Sequence, residues 1–116
     1  MEIRLLVLRT GDMQKLAAFY TMLGLGFEYH RHGQSPMHYS TGIGPTTLEI
    51  YPLAIGQAAA DKNLRLGFAI DNFEETTENL KASGVSFLQE PSQTGFGFMA
   101  IIADPDGRKI ELYKNV

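Results

Sequence analysis

The sequence predicts an α+β fold built from two βαβββ modules, and three observations carry that expectation. Hydrophobic patterning switches between strand and helix periods in the same order in each half of the 116-residue chain. Leu48-Glu49-Ile50-Tyr51, late in the first half, is echoed by Ile110-Glu111-Leu112-Tyr113, late in the second. Each half also opens its helix on an aspartate, Asp12 or Asp71, and closes it on glycine, Gly24 and Gly26 or Gly84.

Residues 3–8 form a run of β-branched and leucine residues, which predicts a strand buried on both faces. Asp12 is then placed to cap a helix whose apolar residues Met13, Leu16, Phe19, Tyr20 and Leu23 recur at helical spacing. Residues 27–32 alternate like a half-exposed strand, 33–36 turn, 37–41 form a short strand, and 46–51 form another that Pro52 stops. Residues 53–63 read as a linker. The order then repeats: a strand at 64–70, a helix at 73–83 capped by Asp71-Asn72, a strand at 85–88, a loop at 91–95, a strand at 96–103 and a final strand at 108–113. Asp104-Pro105-Asp106-Gly107 between the last two is a turn, with proline and glycine at positions that suit one. The expected organisation is one domain over residues 1–116, with modules at 1–52 and 64–116.

Composition excludes several classes of function. Hydrophobic residues at 44% and charged residues at 20% provide enough apolar surface for a packed core. A net charge of −3 without a basic run offers nothing to a phosphate backbone, so no nucleic-acid partner is expected. The absence of cysteine removes disulfides, thiolate nucleophiles and thiolate metal sites, and fits a reducing, cytoplasmic setting. No apolar run approaches the roughly 20 residues that cross a bilayer, and the N-terminal one is too closely bracketed by Arg4 and Arg9 for a secretory signal. No membrane partner is expected.

Strand alternation puts Leu48 and Ile50 on one face and Glu49 on the other, and likewise Ile110 and Leu112 opposite Glu111. The apolar faces are destined for the helices. The glutamates therefore occupy the opposite side, with Tyr51 and Tyr113 beside them. A buried carboxylate must be paired, hydrogen-bonded, metal-bound or protonated. Two at matching repeat positions suit a shared cation or an acid/base pair, and the competing reading is two glutamates on a wet sheet face.

The stretch from Arg9-Thr10-Gly11-Asp12 to Phe19-Tyr20 and Leu23-Gly24-Leu25, with Asp104-Pro105-Asp106-Gly107 and Ile110-Glu111-Leu112, resembles the vicinal oxygen chelate superfamily. That superfamily includes glyoxalase I, bleomycin-resistance proteins, fosfomycin-resistance enzymes and extradiol dioxygenases. The resemblance spans essentially the whole chain. It implies that the modules form a curved mixed sheet, a cup with helices outside, and that two chains pair as a homodimer. It also implies a metal site from inward residues of the first, fourth, fifth and eighth strands, which in glyoxalase-like members are His or Gln, Glu, His and Glu. In this sequence those positions carry Leu5, Glu49, Arg65 and Glu111. Leucine has no ligand atom and arginine does not deprotonate, so two family ligands remain, one short of the three a catalytic zinc usually has.

Arg65 offers a replacement, since its guanidinium fork can bridge Glu49 and Glu111 where the ion would sit; the alternative is that it points to solvent. His30, His32 and His38 belong to the first module. A rebuilt metal site or a general base stands there beside the commoner reading of solvated edge-strand histidines. The expected function is a small-molecule binder of the bleomycin-resistance kind, without cofactor, using Arg65, Tyr51, Tyr113, Leu5, His38 and Phe98 around a small organic ligand. Phe98 enters because its segment often lies over the pocket mouth in the family. The alternative is a glyoxalase-like lyase or isomerase, either dependent on zinc, nickel, manganese or iron or using Glu49 or Glu111 as catalytic base.

Overall fold

A computed structural model describes residues 1–116, which divide into two compact units, Met1–Ala60 and Asp61–Val116. The first unit contains β1 (Leu5–Thr10), α1 (Met13–Met22), β2 (Glu28–His30), β3 (His38–Ile43) and β4 (Thr46–Pro52). The second contains β5 (Leu66–Ile70), α2 (Phe73–Ala82), β6 (Phe87–Thr94), β7 (Gly97–Ala103) and β8 (Lys109–Lys114). Each unit is thus a βαβββ module with its own four-stranded mixed sheet, ordered β1-β4-β3-β2 in one and β5-β8-β7-β6 in the other. The fold is α+β, as the patterning predicts.

In the first unit β1 runs parallel to β4, and β3 pairs antiparallel with both β4 and β2. Asp12 caps α1 as expected, its Oδ1 accepting from the Lys15 amide at 3.0 Å. Gly24 takes φ +107° just beyond the helix, where a side chain would be strained. Two residues, Gly44-Pro45, join β3 to β4, and Gly44 at φ +56° supplies the positive φ such a hairpin needs. Helix α1 lies against β1, β3 and β4. Leu16 and Tyr20 from the helix and Leu8, Leu48 and Ile50 from the sheet form a core at most 1% exposed.

One face of β1 departs from expectation. Leu8 is buried, but Leu5 is 56% exposed and Val7 37%. The strand pairs along only one edge and α1 covers only one of its sides, so the continuous apolar run does not mean burial on both faces.

In the second unit β5 runs parallel to β8, and β7 is antiparallel to β8 and β6. Phe73, Leu80, Ile102, Ile110 and Leu112 are at most 2% exposed and form its core. Three expected boundaries change. Strand β5 begins at Leu66, leaving Arg65 just before it. Asn72 precedes α2 in the left-handed region at φ 52° and gives no side-chain cap, while Asp71 accepts from Asn115 Nδ2 at 3.0 Å. Finally β6 continues through Pro91, which was expected in a loop. It is an edge strand whose register shifts between Gln89 and Ser92, so the missing proline N–H removes no regular ladder bond.

The Asp104–Gly107 turn closes as predicted, with the Gly107 amide donating to the Asp104 carbonyl at 2.9 Å. It also holds a feature that its turn residues do not announce. Arg108 is 1% exposed, and its Nη1 donates to Asp104 Oδ2 at 3.1 Å and to Asp106 Oδ2 at 2.9 Å. No helix is long and apolar enough to cross a membrane.

Candidate functional site

The sheet face opposite α2 in the second unit carries Gly67, Glu111 and Tyr113, brought together because Gly67 lies opposite Glu111 in the β5–β8 pairing. A Cβ at position 67 would come within 3.5 Å of the Tyr113 ring and 3.7 Å of the Glu111 Cβ. Arg65 reaches this face from the start of β5. Its Nε donates to Glu111 Oε2 at 2.6 Å, and the Tyr113 hydroxyl donates to the other oxygen, Oε1. Both carboxylate oxygens of Glu111 are therefore engaged, one by a cation and one by a phenol.

These contacts set the charge states. The Tyr113 hydrogen bond, and after it the Arg65 hydrogen bond, hold the Glu111 carboxyl below the ordinary glutamate range, while the same carboxylate raises the Tyr113 phenol above the usual tyrosine value. A lowered folded-state value means that Glu111 contributes stability above the unfolded glutamate range, lost as pH falls through the lowered value. A raised value means that Tyr113 contributes below the ordinary tyrosine range, and that this is lost as pH rises through the raised value. Glu111→Gln is accordingly expected to bring Tyr113 ionisation down toward that of free tyrosine, checked by phenolate absorbance during alkaline titration. Unchanged ionisation would show that the contact does not form in solution.

The face opposite α1 in the first unit is different in kind. Glu49 lies across from Val7 on one neighbour and from Ser40 on the other, and His30 lies across from His38. His38 is fully buried, its Nε2 3.2 Å from Glu49 Oε2, and His32 Nε2 stands 4.0 Å from the same oxygen. Tyr51 stacks on the His38 ring at 4.2 Å between centroids and 11° between planes, and the Arg9 guanidinium lies 5.2 Å over Tyr51. The histidines are not three separate edge residues. One ligand atom from each, together with a Glu49 oxygen, falls within 4.8 Å of the others.

The residues named from sequence divide as follows. Arg65, Glu111 and Tyr113 meet on the second unit's face; Glu49, His38 and Tyr51 meet on the first unit's. Leu5 sits exposed on the same side as Val7, and one face of the Tyr51 ring is already covered by His38. Phe98, expected to line the ligand site, lies on the helix side of its sheet, packed edge-on against Phe73 of α2 at 5.6 Å. Its alternation with Met99, which pairs with Tyr113, puts it opposite the Glu111 face. A rebuilt metal site at the three histidines was one of the readings open from sequence, but their meeting with Glu49 was not foreseen, since it rests on the register across residues 31–37 that pairs His30 with His38.

The model of the Glyoxalase/Bleomycin resistance protein/Dioxygenase superfamily matches residues 2–112. The chain belongs to that superfamily. Among its relatives, the lactoylglutathione lyase of Salmonella typhimurium is 33% identical over 118 residues, covering 91% of this chain and 87% of the relative. That of Escherichia coli O157:H7 is 35% identical over 119 residues with the same coverage. Among solved structures, TnmS3, an antibiotic binding protein from Streptomyces sp. CB03234, superposes with a TM-score of 0.78 at 22% identity, covering all of this chain and 97% of that one.

The metal implied by glyoxalase-like members of the superfamily does not fit the residues at the matching positions here. Leu5 offers no donor, and Arg65 brings a positive charge directly onto Glu111 at 2.6 Å, where a cation would have to bind.

Proposed function

We propose that this chain binds a small organic ligand and does not use the superfamily's four-residue metal site for turnover. The supporting observation is Glu111. With Arg65 on one oxygen and Tyr113 on the other, and its carboxyl held below the usual range, it is neither an open metal ligand nor a strong general base. What remains on that face is a half-exposed guanidinium beside an aromatic ring, next to a glycine that adds no side chain to it. Such a surface suits a flat ligand that carries an anionic or carbonyl oxygen. The fold shared with an antibiotic binding protein supports the same reading.

A panel of aromatic antibiotics and aromatic carboxylates tests it by thermal shift and calorimetry. A true ligand at a hundredfold excess over its Kd stabilises the folded state by about 2.7 kcal/mol. Arg65→Met is expected to weaken an anionic ligand by about tenfold or more, the loss of one charge-assisted hydrogen bond.

The identity to lactoylglutathione lyases favours a second reading, a glyoxalase-like lyase with Glu49 as base. Turnover of the hemithioacetal of methylglyoxal and glutathione, lost in Glu49→Gln, would replace the binding reading with this one.

A further inference from the structure

We propose that the first unit holds a site of its own for a divalent transition metal, formed by His30, His32, His38 and Glu49. The set shares only Glu49 with the superfamily positions and stands independently of the ligand-binding reading.

The donors come from successive elements. His30 is the last residue of β2 and His38 the first of β3, paired directly opposite, while Glu49 comes from β4. His32 follows β2 in a closed turn, where the Ser35 amide donates to the His32 carbonyl and the His32 amide to Ser35 Oγ, both at 2.9 Å. The ring centroids of the three histidines lie 4.6, 4.9 and 5.2 Å apart.

The proton inventory at His38 carries the argument furthest. Its Nδ1 lies 3.0 Å from the Pro36 carbonyl oxygen, which can only accept, so Nδ1 bears the hydrogen. The other ring nitrogen is then a lone pair in the neutral ring. It faces the Glu49 carboxylate oxygen at 3.2 Å, yet Nε2 makes no hydrogen bond there. With Nδ1 committed to Pro36, Nε2 and the carboxylate oxygen are placed to share one cation, a divalent metal in place of a proton. His30 Nε2 is likewise buried without a hydrogen-bond partner. Buried polar atoms are almost always satisfied, so two unbonded ring nitrogens in one cluster point to a shared partner, the role that a metal ion would fill.

The geometry agrees. Donors bound to one zinc at roughly 2.0–2.1 Å in a tetrahedron lie about 3.3 Å apart. The His38–Glu49 separation of 3.2 Å already has that value. His32, 4.0 Å from Glu49 and two-thirds exposed, has room to close the remainder. A ligating histidine commonly donates its second N–H to a backbone carbonyl, which fixes tautomer and orientation, and His38 does so to Pro36. Tyr51 holds the same ring by stacking. Three imidazoles and one carboxylate suit zinc, nickel or cobalt better than magnesium or calcium, which prefer oxygen donors.

The test is the intact protein dialysed against zinc, nickel or cobalt, with bound metal measured by elemental analysis and cobalt coordination followed by visible absorption. One equivalent per chain is expected, with a ligand-field spectrum of low symmetry. Affinity should fall by about a hundredfold or more in His38→Ala and in Glu49→Gln, and by about tenfold or more in His32→Ala. His32 is exposed, so that variant keeps the test meaningful if His38→Ala fails to fold. Glu111→Gln and Arg65→Met should leave uptake unchanged. No uptake by the native protein, equal uptake by the His32 and Glu49 variants, or uptake that depends on Glu111 would each overturn the site. None of these results bears on organic-ligand binding, which the thermal-shift panel reads separately.

Discussion

Replacing Asp104 with alanine is expected to destabilise the protein by about 3 kcal/mol, the low end of the cost of removing one partner of a buried ion pair, because Asp106 still holds Arg108. Arg108 is 1% exposed and Asp104 4%. Burial alone would lower the Arg108 value, but the hydrogen bonds to Asp104 and then Asp106 outweigh it, and the group stays charged above its ordinary range. Asp104 does more than neutralise: its Oδ1 also accepts from the Asp106 amide at 2.9 Å and the Arg108 amide at 3.0 Å, so the same carboxylate shapes the turn. Asp106→Ala removes a partner that is more exposed and is expected to cost less. Arg108→Met takes the cation away from the buried Asp104 carboxylate and is expected to cost as much as Asp104→Ala, whereas replacing both residues by apolar ones should cost less than either single change. Urea unfolding with unchanged slope gives the comparison. A loss under about 0.5 kcal/mol for Asp104→Ala, the range of an ordinary surface change, would show that the arginine finds water instead.

That cluster illustrates where sequence reading stops. Pro105 and Gly107 make the turn legible, but nothing in Asp-Pro-Asp-Gly-Arg says that the arginine folds inward. The positions of Glu49 and Glu111 were legible because alternation along a strand needs no knowledge of neighbours. Of the expected bridge from Arg65 to Glu49 and Glu111, the contact with Glu111 was legible, since residues 65 and 67 share a side and Gly67 is the register partner of Glu111, whereas Glu49 is held by His38. The histidine cluster depends on something alternation does not contain, the register across the β2–β3 turn. Phe98 was misjudged for a simpler reason. A family-wide position for a loop was carried onto a residue whose own parity pointed to the helix. At β6, proline was read as a breaker, when an edge strand with shifted register tolerates it. Asn72 likewise has a capping side chain by type, but its left-handed backbone at φ 52° turns that side chain away from the helix amides.

Alternation itself can be put to a thermodynamic test with one residue type. Leu48→Ala and Leu112→Ala are each expected to cost about 2–5 kcal/mol, because both side chains are fully buried at equivalent places in the two sheets and truncation leaves a cavity. Leu5→Ala, in a strand of the same unit and equally apolar by sequence, is expected to cost less than about 0.5 kcal/mol at 56% exposure. The contrast isolates the face, since residue type, secondary structure and the deleted atoms are the same. Leu5 lies on the side of β1 that Val7 shares, and Val7 is the register partner of Glu49. Should Leu5→Ala cost as much as Leu48→Ala, that side of β1 would be core in solution, and alternation would not decide burial in this strand.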